Sequence, residues 1–149
     1  MKLRALLLTC LLIGGVYAMI QSIEEFQVKG FHEILPGSAA SVDQLVFTSP
    51  ASVSSAPPAW TVTDKEEIGR LMTFLQTVEV RKVDTQQALH DLDFNQFTIT
   101  LEDSGRSRIT ILADDHLIVT EEGEQFTVVD ETLDVNWLLR FMISNQLPR

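Results

Sequence analysis

Two of the three histidines sit beside aspartates: His90 with Asp91 and Asp93, and His116 with Asp114 and Asp115. Mixed imidazole and carboxylate ligands suit a divalent transition metal, and carboxylates held together can do general acid–base work. His90, Asp91, Asp114, Asp115 and His116 are therefore the candidate ligating or catalytic side chains. Their spacing does not favour a metal, because neither H-x-x-x-H nor H-x-H occurs. Acidic loop tips also arise simply because Asp favours turns. Asp91, Asp93, Asn95 and Glu102 match positions 1, 3, 5 and 12 of a calcium loop, but position 6 is Gln96 rather than the turn-forming glycine. The hydrolase patterns G-x-S-x-G, S-x-x-K and H-E-x-x-H are absent, as are glycine-rich loops that cradle phosphate. The expectation is no catalytic residue, no cofactor and no metal, with the His/Asp group as the one alternative.

For those side chains to meet, a sheet must carry them to one end. From Phe94 to Val129 apolar and polar residues alternate, which predicts four antiparallel strands in a meander. A three-residue loop at Asp103-Ser104-Gly105 would pair Phe97 with Ile111, Ile99 with Ile109 and Leu101 with Ser107, and would put Arg106 opposite Glu102. A turn at Glu122-Gly123 would pair Val119 with Phe126 and Leu117 with Val128. Successive tips of a meander alternate ends. Glu102, Asp103, Glu121, Glu122 and Glu124 then share one end, and the His/Asp group shares the other.

Two helices should cover one face of this sheet. Thr63-Asp64-Lys65-Glu66 reads as a capping box, followed by Ile68, Leu71, Met72 and Leu75 at helical spacing, which predicts a helix over about 64–77. Leu138, Phe141 and Met142 predict another over about 132–146. Val42 to Thr48 is a further strand, with Leu45 and Phe47 on one face. Ser49 to Ala59 is a Ser/Ala/Pro-rich loop, and Trp60 and Val62 read as a short strand. Trp60 and Trp137 read as core residues rather than ligand platforms. The other sheet face, with Thr98, Thr100, Arg106, Arg108 and Thr110, should see solvent. The fold class is α+β: an antiparallel four-stranded meander plus an N-terminal strand, with two amphipathic helices on one face.

The N-terminus reads as an address. Lys2 and Arg4 precede an apolar run, and Val16-Tyr17-Ala18 offers small residues for cleavage after Ala18, the layout of a secretory signal over residues 1–18. The uncharged stretch from Ala5 to Ile23 equally suits an uncleaved anchor over residues 5–23. In both cases the basic start keeps the N-terminus inside, and the body is extracytoplasmic. Residues 19–41 read as an irregular stalk and 42–147 as one α+β domain.

The chain has 149 residues, a formal net charge of −10 and one cysteine, Cys10, inside the leader. Beyond Ala18 there is no thiol for a disulfide or for nucleophilic chemistry. Without Lys2 and Arg4 the remainder holds nine basic and 21 acidic side chains. That acidity argues against nucleic acid, whose phosphates need clustered Lys and Arg. It leaves membrane contact to the N-terminal segment.

The stretches W-T-V-T-D-K-E-E-I-x-x-L-M-x-x-L, F-T-I-T-L-E-D-x-G-R-x-x-I-T-I and Q-F-T-V-V, behind a signal segment and before a closing helix, resemble small exported domains of Gram-positive bacteria that have no assigned function. The resemblance covers about residues 40–145. It implies an extracytoplasmic location and a β-α-βββ-α plan, and it carries over no catalytic residue. The function expected is an exported or membrane-tethered, non-enzymatic domain that binds a protein or cell-envelope component. The alternative is a small extracytoplasmic enzyme or cation-binding protein using the His/Asp group.

Overall fold

Strand alternation in the second half and helical spacing on either side of it produce an α+β fold. The computed structural model describes residues 2–35, 37, 41–50, 59–83, 96–113, 116–129 and 133–146. In chain order these form α1 (Lys2–Glu25), β1 (Val28–Gly30), α2 (Phe31–Ile34), β2 (Gln44–Thr48), β3 (Ala59–Val62), α3 (Lys65–Leu75), β4 (Glu79–Lys82), β5 (Thr98–Asp103), β6 (Arg106–Leu112), β7 (Leu117–Thr120), β8 (Gln125–Val128) and α4 (Val135–Ser144).

The sheet is larger than the expected four strands plus one. It has eight antiparallel strands in the order β1-β4-β8-β7-β6-β5-β2-β3. β5 to β8 are neighbours at its centre. β2 and β3 extend one side, and β4 and β1 the other. The chain therefore passes from one side of the sheet to the other between β1 and β2, and again between β3 and β4. The stretch expected as a stalk also differs. Residues 19–41 hold the end of α1, β1 and α2, and Phe31, Ile34 and Leu35 are buried in the main core. The Phe31 N–H donates to the Val78 carbonyl at 3.0 Å, tying α2 to the exit of α3.

Both hairpin registers depart from the sequence expectation, each for a local reason. At the first, Ser104 and Gly105 have φ of 53° and 76°. Positive φ at both central residues is the signature of a two-residue type I′ turn, whose twist matches that of the strands. It closes Asp103 on Arg106, and a β-bulge between Leu101 and Glu102 then inserts Arg108 as an extra residue. The bulge resets the pairing, so Leu101 faces Ile109 and Ile99 faces Ile111. A two-residue turn without the bulge would have set Leu101 opposite Arg108.

At the second, the Thr120 N–H bonds to the Glu124 carbonyl at 2.9 Å across Glu121-Glu122-Gly123, with Gly123 at φ 81°. One added loop residue shifts the pairing by one, giving Ile118 with Phe126 and Val119 with Gln125. A one-residue slip exchanges the faces. Ile118 thus joins the core, and Leu117 and Val119 take the opposite side.

One ladder crosses most of the inner face: Trp60, Phe47, Ile99, Ile111, Ile118 and Phe126. α3 packs Ile68, Leu71, Met72 and Leu75 into the same core, and α4 adds Leu138, Phe141 and Met142. Full burial of side chains of this size stabilises by about 1.5–3 kcal/mol each. Both helices start on aspartate caps. The Asp64 carboxylate accepts from the Glu66 N–H at 2.8 Å, and the Asp134 carboxylate from the Trp137 N–H at 2.9 Å. Asp64 thus takes the cap position expected for Thr63.

The outer face is not simply solvated. Thr98, Leu112, Leu117 and Gln125 are buried on it, while Thr100 and Thr110 are half-buried and share a hydroxyl hydrogen bond of 3.1 Å.

Candidate functional site

Of the five side chains singled out in the sequence, His90, Asp91, Asp114 and Asp115 lie outside the described residues, as do Asp93 and Asn95. His116 is exposed at φ 49°, in the left-handed region that non-glycine residues seldom adopt, and its carbonyl accepts the Val128 N–H at 2.9 Å. Among the described residues no group of three or more His, Cys, Asp or Glu side chains is placed to hold a metal ion.

The opposite end of the sheet assembles a charged network. The bulge aims the Arg108 guanidinium between two tips. Nη1 donates to Glu121 Oε2 at 2.7 Å and Nη2 to Asp103 Oδ2 at 3.2 Å. The Ser104 hydroxyl donates to Asp103 Oδ1 at 2.9 Å, and the Ser104 N–H reaches both oxygens of Asp43 at 3.2 Å. The Ser104 hydroxyl, and then Arg108, hold the Asp103 carboxyl below its ordinary value against the opposing effect of burial. Glu121 and then Asp103 hold Arg108 above its own. Nearby, Lys82 pairs with Glu124 at 2.9 Å. With both carboxylates engaged, Arg108 ties the β5–β6 tip to the β7–β8 tip. Sequence reasoning put these acids at one end. It missed the tie, because the tie depends on the bulge.

A second feature lies on the helices. Trp137 stacks on Phe74 with ring centroids 4.0 Å apart and on Phe141 at 5.1 Å. Phe141 meets Phe47 edge-on at 6.0 Å, and Phe47 stacks on Trp60 at 5.5 Å. Five rings thus run from the outside of α3 to the edge strand β3. Trp137 stacks with two of these rings, and both tryptophans pack against the core.

Beside this stack is an open groove of about 650 Å³, lined by Glu66, Gly69, Arg70, Thr73, Phe74, Thr77 and Trp137. Arg70 pairs with the buried Glu67 at 2.9 Å and lies 5.9 Å from the Phe141 ring centre. Asn145, the C-cap of α4, also donates to Glu67, at 3.4 Å, linking the two helices. The groove was not legible in the sequence, since it exists only where α3 and α4 meet.

α1 is the third feature. Its apolar stretch Leu3–Ile23 is long enough to cross a membrane, and none of it is buried against the rest of the chain. Gly14 and Gly15 do not interrupt it, and Ala18, the expected cleavage position, lies inside the continuous helix.

Together these define an α+β protein headed by an apolar helix compatible with a signal peptide or a membrane anchor. Comparison with protein-family models, curated proteins and solved structures gives no match.

Proposed function

We propose that this chain is an exported or membrane-tethered, non-enzymatic α+β domain that binds a protein or cell-envelope component. The observation that carries the reading is α1. Large side chains such as Leu3, Leu11 and Met19 are more than two-thirds exposed on it. So much apolar surface is costly in water, and lipid or an export channel is the solvent that suits it. Lys2 and Arg4 favour an inside N-terminus and an extracytoplasmic body.

The binding part rests on the groove between α3 and α4. It sets Phe74 and Trp137 beside Arg70, and aromatic residues and Arg are enriched at protein interfaces. The test is a photo-crosslinking residue at Thr73, which is exposed on the groove, in the full chain within its native envelope. The expected result is one discrete adduct, lost when Trp137 is replaced by Ala. A body sealed inside the cytoplasm, or no adduct from Thr73 in any growth condition, overturns the reading.

A further inference from the structure

We propose that α1 stays in the mature chain as a membrane span and that the β1 edge of the sheet rests in the phospholipid headgroup layer beside its exit. The proposal rests on the tethered form of the reading above and goes further, because it orients the body.

Its first support is chain length. The apolar stretch ends at Ile23 and α1 ends at Glu25. Only Phe26 and Gln27 separate α1 from β1, whose Val28 is already paired with Arg81. Two helical steps and three extended ones allow no more than about 13 Å between Ile23 and Val28. The headgroup layer is itself roughly 5–8 Å deep on each side. A body joined by so short a strap has no freedom to stand away from the bilayer.

The second support is what the strap and edge present. Phe26 and Val28 are 41% and 43% exposed, and they follow Glu24 and Glu25, where the charge-free run ends. An aromatic residue just outside a span is at home at the membrane interface. Lys29 and Arg81 flank Val28 and can reach lipid phosphates.

The third is the edge itself. β1 ends the strand order, and an edge strand is a template for unwanted pairing that proteins shield. Here the Gly30 N–H is taken by Glu33 Oε1 at 2.8 Å, and headgroups with their water shield the remainder. The opposite edge, β3, lies at the far end of the eight-strand order and stays clear of lipid.

The test uses the full chain in phosphatidylcholine vesicles. Cys10→Ala removes the only native thiol. Val28→Cys or Thr61→Cys then adds one, each at an exposed edge position, for a polarity-sensitive fluorophore. Lipid spin-labelled at the headgroup should quench the label at residue 28 at least threefold more than the label at residue 61. Equal quenching at the two sites, with the chain still bound to vesicles, overturns the seating while leaving the tether intact. A mature chain that begins at Met19, by intact mass from the native envelope, overturns the tether and the seating together.

Discussion

α1 and α4 are both rich in large apolar side chains, yet they meet opposite surroundings. α1 buries nothing against the rest of the chain. α4 sends Leu138, Phe141 and Met142 into the core and leaves Asn136, Arg140 and Ile143 outside. The difference lies in arrangement rather than content. Apolar residues surround α1 on every side, so no protein face can satisfy them all, whereas α4 gathers its largest on one stripe. Arrangement sets what each helix can pack against: α4 offers one stripe to a protein core, and α1 offers no single face to one.

The hardest test of this contrast places charges in α1. Replacing Leu8 and Leu12 with Arg should cost roughly 5–7 kcal/mol of insertion and move the chain out of the alkali-resistant membrane fraction. The thermal transition of the body should not change. A chain that stays in the membrane fraction breaks the comparison. Next in size, Leu138→Ala should lower stability by about 2–5 kcal/mol in urea unfolding, while Leu12→Ala leaves it unchanged. A loss at Leu12 comparable to that at Leu138 would mean that α1 packs on the body after all.

The capping carboxylates sharpen the contrast further, because only helices folded on the body need them. Asp134→Ala and Asp64→Ala should each cost about 1 kcal/mol, read as a lower denaturant midpoint. The smallest effect belongs to Asp103. Its carboxyl titrates below the ordinary value when folded. Its stabilising contribution is therefore complete above the ordinary aspartate pKa and is lost as pH falls through the lowered folded value. Below about pH 4 the wild-type denaturant midpoint should fall more steeply than that of Ser104→Ala. Parallel acid limbs would remove the hydroxyl as the cause.

Legibility followed the range of the interactions. α3 and α4 were readable because apolar residues at helical spacing are a local signal. The hairpins were placed, but both registers were wrong, because each depends on whether one extra residue enters the loop or the strand. The bulge at Arg108 and the three-residue loop at Glu121-Glu122-Gly123 decide this, and alternation alone cannot separate them. β1 was hidden for another reason: a run of three residues is too short to show a period, and it pairs with residues about fifty positions away. Val78, Val80 and Val83 do mark the β4 region as extended, but nothing local gives its place in the sheet. Among the candidate residues, the acids around Asp103 were legible as a group. The Trp137 stack was not, because it requires the tertiary meeting of α3 with α4.

The strand order also sets a timetable for folding. β2 has no inner neighbour until β5 exists, and β4 none until β8 exists, so the sheet closes only after Val128 is available. Until then the first eighty residues have no central strands to dock on, and long-range pairing of this kind slows folding. The order of the strands thus delays closure of the sheet until the last of them is made.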